Sequence, residues 1–280
     1  MNLKDKESKS NSSIFSTENR IVMGILNLTK DSFYDGGQYI NNQQIISRCK
    51  TMLDEGATII DLGAQSSRPG ATEISSRNEL KKLIPTIKLL KNTFKNITIS
   101  IDTFWSNTAK ECIQYGASII NDISAGEKDK NMFSTITKLN VPYIIMHMKG
   151  TPKNMQKNPI YNDINREISS YFEKKIKQLH ELGFYKIIID PGFGFGKTIE
   201  HNYQILNNLK KFKCLKTPIL IGTSRKSMIY NLLETTPKEA LNGTSITNTI
   251  ALQNGANILR VHDVKEAVEC IKIVTFAKKY

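Results

Sequence analysis

The most constraining feature of this sequence is a handover that occurs three times. Glu55-Gly56-Ala57-Thr58-Ile59-Ile60, Tyr115-Gly116-Ala117-Ser118-Ile119-Ile120 and Asn254-Gly255-Ala256-Asn257-Ile258-Leu259 share one pattern: helix end, Gly, Ala, one variable residue, apolar run. Glycine is the preferred residue just past a helix C-terminus, where the backbone turns left-handed. Each echo therefore predicts a helix delivering the chain into a buried parallel strand. Apolar, β-rich runs recur along the whole chain, at 20–27, 57–63, 97–103, 117–122, 141–148, 185–190, 218–223 and 256–262. Helical periodicity fills the gaps, for example at 42–55, 77–94, 107–115, 162–182 and 239–253. Eight such units in roughly 260 residues match a (β/α)8 TIM barrel in a single domain. A doubly wound open sheet is the alternative, but polar tips on both the first and last strands favour closure. The expected organisation is a mobile polar tail at 1–19 and one barrel domain at 20–280.

Composition excludes several classes. No apolar run approaches the roughly 18 residues of a membrane span, and the polar N-terminus lacks the apolar core of a secretory signal. Cys49, Cys112, Cys214 and Cys270 lie far apart with no C-x-x-C pair. That argues against a zinc site or a disulfide framework and fits a reducing cytoplasm. The formal charge of +13 raises a nucleic-acid reading, but its lysines are scattered along helical segments. No basic-and-aromatic pattern of a nucleic-acid-binding module is present, so solvated helix faces are expected. Only seven arginines occur, and Arg68, Arg225 and Arg260 directly follow apparent strand ends. Among so many lysines, those three point to bidentate anion recognition.

In a barrel of this kind the chemistry sits at the C-terminal strand ends. Those ends carry Asn27, Asp61 (followed by Ser67-Arg68-Pro69-Gly70), Asp102, Asn121-Asp122, Met146-His147-Met148, Asp190, Thr223-Ser224-Arg225-Lys226-Ser227 and Arg260-Val261-His262-Asp263. One such residue would be read as a helix cap or an internal pair. Eight together predict a shared polar pocket. The sixth end, Asp190-Pro191-Gly192-Phe193-Gly194-Phe195-Gly196-Lys197, combines a carboxylate, aromatic surface, a cation and glycines that let backbone approach a ligand. It is not a P-loop, because Pro191 stands where the first glycine is required. It is not a dinucleotide fingerprint either, because Lys197 stands where the third glycine belongs. Asp102, Asn121 and Asp190 suit an aminopyrimidinone edge. Asn27, Arg68, Arg260 and His262 suit a diphosphate with Mg2+, a hard cation that prefers oxygen and retains its waters.

Seven ordered motifs resemble those of the dihydropteroate synthase family: MGILNLTKDSFYDGG (23–37), GAQSSRPGA (63–71), SIDT (100–103), NDISAG (121–126), DPGFGFGK (190–197), GTSRKS (222–227) and RVHDV (260–264). The resemblance runs from about Ile21 to the C-terminal helix. It implies a transferase of folate synthesis that joins 4-aminobenzoate to (7,8-dihydropterin-6-yl)methyl diphosphate, a reaction inhibited in that family by sulfonamides. It also implies roles residue by residue. Asp102, Asn121, Asp190 and Lys226 hold the pterin, with Met146 packed on its ring. Asn27 binds Mg2+, and Arg68, Arg260 and His262 hold the diphosphate. Ser67, Pro69, Phe195 and Ser227, with Phe33, shape the aminobenzoate pocket. Asp102 and Asp35 favour the developing pterin cation, with Asp35 on a first loop that closes over the site with the second. A homodimer through wall helices, small-molecule substrates and no nucleic-acid or membrane partner complete the implied picture. Three positions depart from the family pattern: Lys30 for proline, Gln65 for glutamate and Ser67 for threonine. Two rivals are carried: a methyltetrahydrofolate:corrinoid methyltransferase-type barrel and a non-catalytic pterin-binding paralogue.

Overall fold

The β-branched runs form eight parallel strands in the computed structural model, which describes residues 16–28, 41–65, 73–150, 155 and 159–280. They are Ile21–Asn27 (β1), Ile59–Gly63 (β2), Ile99–Asp102 (β3), Ile119–Asp122 (β4), Tyr143–Met146 (β5), Ile187–Asp190 (β6), Leu220–Ile221 (β7) and Ile258–Val261 (β8). Their order is β6-β5-β4-β3-β2-β1-β8-β7. A parallel bridge from Ile189 to Ile219 joins the two ends. The sheet therefore curls into a nearly closed barrel rather than staying open.

Helices follow the strands, as Asn42–Asp54 (α1), Ser76–Thr93 (α2), Ser106–Gln114 (α3), Met132–Leu139 (α4), Ile164–Glu181 (α5), Ile199–Asn208 (α6), Ser227–Tyr230 (α7), Leu241–Gln253 (α8) and Val264–Ala277 (α9). The three sequence echoes become one structural device. Gly56, Gly116 and Gly255 all have φ near +105° (104, 106 and 106°). At each, the glycine N–H donates three residues back and the alanine N–H five residues back, as from Ala57 to the Met52 carbonyl. That is the Schellman termination, and only glycine adopts it without strain.

Side-chain alternation along the strands builds two cores. Outward residues such as Ile60, Ile101, Ile120, Ile145, Ile189 and Leu259 join the helices in one continuous apolar cluster. Inward residues Met23, Ile59, Ile119, Ile144, Ile188, Leu220 and Ile258 fill the lower barrel. Of the expected tail, residues 16–19 are described, and Asn257 ties them to the barrel floor by donating to the Thr17 carbonyl at 2.7 Å. Residues 1–15 lie outside the described residues.

Candidate active site

Two residues beyond the lower layer, the same inward faces turn polar. Ile59 is followed inward by Asp61, Ile119 by Asn121, Ile188 by Asp190 and Ile258 by Arg260. Backbone register sets these groups side by side: Asp61 pairs with Ser100, and Asp102 pairs with both Gly63 and Asn121. The predicted residues Asp102, Asn121, Met146, Asp190, Phe195, Lys226, Arg260 and His262 thus lie at one end of the barrel.

Arg260 is the hub. Its Nε donates to Asp61 Oδ2 at 2.7 Å and its Nη2 to Asp102 Oδ2 at 3.0 Å. Asn121 Nδ2 donates to the same Asp61 oxygen at 3.1 Å. One guanidinium between two carboxylates does not neutralise both. Burial pushes Asp102 up to about 7 against the pull of Arg260, and the neighbouring Asp61, Glu79 and Asp122 charges push the same way. Asn27 reaches over from β1: its Oδ1 would lie 3.0 Å from a Cβ added at Gly63, a point 3.7 Å from Asp102 Cβ. Any side chain at position 63 would invade this corner.

The aromatic side is equally built. Lys226 Nζ donates to the Phe193 carbonyl at 2.6 Å and sits 4.7 Å from the centroid of the Phe195 ring. Burial lowers Lys226 to about 8, with Asp190 resisting. Asp190 accepts from the Gly192 N–H at 2.8 Å, and burial raises its carboxyl while Lys226 opposes that shift. Met146 and Phe195 pack with Phe104, Ile123 and Met155 in one apolar wall. A flat heterocycle between this wall and the carboxylates would find a face to stack on and acceptors along its edge.

The anion side is held by β8 and the loop after β7. His262 donates its backbone N–H to Ser224 Oγ at 3.2 Å, and its Nδ1 lies 3.1 Å from the same hydroxyl. Arg48 of α1 donates to the His262 carbonyl at 2.6 Å. Burial lowers His262 to about 4, with Arg260, Arg225 and Arg48 adding to the effect and Asp263 opposing it. The imidazole is therefore neutral at pH 7 and positioned so that an arriving anion would favour its protonation. Ser227 is the first residue of α7, half-buried beside Lys226.

Three expectations change. Lys197 does not face a ligand: it is 3% exposed and points into its own loop. Its Nζ meets His147 Nδ1 at 3.1 Å and the carbonyls of Gly192, Phe195 and His147 at 2.9, 2.9 and 3.3 Å. It braces the loops after β5 and β6, because a buried ammonium needs acceptors wherever they are. Glycine there serves the protein's own backbone: a Cβ at Gly192 would stand 2.0 Å from the His147 carbonyl oxygen, and one at Gly196 2.3 Å from that of Lys149. Arg225 does bind an anion bidentately, but the anion is Asp263, at 2.8 and 2.9 Å.

Phe33, Asp35, Ser67, Arg68 and Pro69, with the departures at Lys30 and Ser67, lie outside the described residues. Gln65 is described: its Oε1 accepts the Ile74 N–H at 3.0 Å, across the base of the second loop. The buried carboxylates Asp61, Glu79 and Asp122 received no individual role from the sequence. Asp61 organises Arg260 and Asn121. Glu79 accepts the Thr103 hydroxyl at 2.6 Å, next to Asp102 in the chain, and burial raises it to about 7. Asp61 stood among the polar strand ends read from the sequence, without a specific role; no local signal marks Glu79 on a helix.

Known proteins share this sequence and fold over nearly the whole chain. The pterin binding enzyme family matches residues 23–262. The dihydropteroate synthase of Escherichia coli (strain K12) is 42% identical over 255 residues, covering 90% of both chains. That of Haemophilus influenzae is 40% identical over 254 residues, covering 90% of this chain and 92% of its own. A Yersinia pestis dihydropteroate synthase in complex with a sulfonamide drug superposes with a TM-score of 0.90 at 40% identity, covering 95% and 96% of the two chains. A Xanthomonas albilineans dihydropteroate synthase with 4-aminobenzoic acid gives 0.87 at 33% identity over 94% and 95%. With the motifs, the nearly closed barrel and its polar strand ends, these matches lead to one conclusion: the chain belongs to the pterin-binding enzyme family, among the dihydropteroate synthases.

Proposed function

We infer that this protein joins 4-aminobenzoate to (7,8-dihydropterin-6-yl)methyl diphosphate, forming 7,8-dihydropteroate and releasing diphosphate. The observation that carries the reading is the convergence of Asp102, Asn121, Asp190, Lys226 and Arg260 beside the Met146–Phe195 wall, in a chain about 40% identical to dihydropteroate synthases. The carboxylates and Asn121 take the pterin edge while Met146 packs on its ring. Arg260 and His262 receive the diphosphate, and Arg68 acts with them. The C–O bond to diphosphate breaks first, leaving a methylene cation that the electron-rich dihydropterin and the Asp102 carboxylate, aided by Asp35, stabilise. The neutral arylamine then attacks that carbon and afterwards loses a proton, so no strong general base is needed. Preorganised positive charge on the departing anion is the largest catalytic contribution expected here. Phe195 and Ser227, with Phe33, Ser67 and Pro69, shape the aminobenzoate side.

Mg2+ fits this donor set. Among the described residues no group of three His, Cys, Asp or Glu could cage a metal. Asn27 would hold such an ion through its side-chain oxygen, together with substrate phosphate and water, as a hard cation prefers. When bound, the ion neutralises diphosphate charge.

A homodimer is proposed through the α8–α9 wall, which exposes Ile246, Ile273 and Phe276. A monomer at every concentration in sedimentation would overturn that assignment. A reducing cytoplasm fits the four free cysteines. Among the described residues no helix is long and apolar enough to cross a membrane.

The test is diphosphate release with Mg2+, with and without 4-aminobenzoate, while following dihydropteroate. Coupled formation of both products supports the reading. Pterin binding with neither product would point to the non-catalytic paralogue.

A further inference from the structure

Asp61 is fully buried and so cannot touch a substrate, yet its Oδ2 takes both the Asn121 amide and Arg260 Nε, at 3.1 and 2.7 Å. An ionised carboxylate only accepts hydrogen bonds. The end of the Asn121 side chain that faces it must therefore be the NH2. That fixes the otherwise ambiguous orientation of the amide and leaves Asn121 Oδ1, which accepts from no other described residue, for the pocket. We propose that Asp61 is a specificity-determining positioning residue: by locking Asn121 with its oxygen toward the ligand, it makes the site read hydrogen-bond donors along the heterocycle edge. The inference rests on the dihydropteroate synthase reading and adds to it the residue that sets the pattern.

The other Asp61 oxygen, Oδ1, is buried with no partner among the described residues, and so is Ser100 Oγ, its cross-strand neighbour in register. An asparagine at 61 can keep its carbonyl oxygen toward Asn121 and Arg260 and place its NH2 where Oδ1 now stands, an atom that accepts from no described residue. Asp61→Asn therefore preserves the lock, whereas Asp61→Ala removes it and frees Asn121 to rotate by 180° and present a donor.

The experiment compares affinities for 6-hydroxymethylpterin and 6-hydroxymethyllumazine, in which the exocyclic amine donor is replaced by an acceptor oxygen. Sites built to pair a polar group discriminate strongly against a mismatched analogue. The natural protein is expected to favour the pterin by at least about 100-fold. Asp61→Ala should cut that ratio at least about tenfold, while Asp61→Asn holds it within about threefold. A role limited to packing would weaken both ligands in proportion and leave the ratio unchanged in Asp61→Ala, which would overturn the proposal. A ratio lost equally in Asp61→Asn would also overturn it. Should Asp61→Ala not fold, Asp61→Leu, which fills the volume with no acceptor, carries the same expectation. In an Asn121→Ala background, Asp61→Ala should no longer change the ratio; a persistent change would place the selectivity elsewhere. Failure of the natural protein to bind pterin at all would instead strike the functional reading itself.

Discussion

On β2, β4, β6 and β8 the inward face carries Ile59, Ile119, Ile188 and Ile258 in the lower barrel, and Asp61, Asn121, Asp190 and Arg260 in the upper. The two layers are separated by two residues on each strand, about 6–7 Å. Both are nearly dry, yet they are held by opposite physics. The lower layer gains from removing apolar surface from water. The upper one desolvates charge, which is unfavourable unless each group is paired. Its groups are paired incompletely: Arg260 serves two carboxylates, and Asp61 Oδ1 has no partner among the described residues. The lesson is a division of labour along each strand, with stability supplied below and a polar site kept incomplete above for a ligand to complete.

The largest effect is expected of Asp102→Ala, which should lower kcat/KM by about 10²–10³-fold while the protein melts as a folded barrel. Near-wild-type steady-state kinetics would remove Asp102 from the chemistry. The mirror experiment is Ile188→Ala in the lower layer. It should cost about 2–5 kcal/mol of stability in denaturant unfolding and leave kcat of the folded fraction within about twofold, because turnover is set above it. A large kcat loss at unchanged stability would show that the layers are not separable.

Within the upper layer, Arg260→Ala separates the anion side from the pterin side. It should weaken binding of the pterin diphosphate by about tenfold or more beyond its effect on the pterin alone, as lost charge-assisted bonds require. Calorimetry with both ligands decides this, and equal losses would contradict a two-sided pocket.

The smallest effect is a titration. His262 should titrate near 4 by NMR in the ligand-free protein and move upward when inorganic diphosphate binds. The unfolded chain would take up that proton near 6.5. This group's depressed folded value therefore contributes stability that is present above about 6.5 and lost as pH falls toward about 4. An ordinary value of about 6.5 in the folded protein would mean that burial and the three arginines do not act as the geometry indicates.

Most of the barrel was legible because two local signals agree in each unit. β-branched runs need burial, and Gly-Ala handovers end the helices that deliver them. Short helices such as α4 and α6 were less visible; they are stabilised by packing against the strands rather than by long periodic patterns. At the site, polarity at a strand end located Asp102, Asn121, Asp190 and Arg260, since in this fold such an end can point only into the mouth or the wall. It could not say which. Asp122, beside Asn121, faces the wall and accepts from Ser124, Gly126 and Tyr143.

The alternation of buried strand and helix, the ring of polar strand ends and the family are all written in local residue patterns. Tertiary structure alone decided how those ends pair. Lys197 turned inward because the loop carbonyls and His147 offered it acceptors in a dry interior. Arg225 went to Asp263, and Asp61 became the residue that orients Asn121 and Arg260. Such pairings join residues up to 199 positions apart, as Asp61 and Arg260 are, and no local pattern encodes them. They follow only once closure of the barrel places many charges in a space with little water, where each must find whichever partner is nearest.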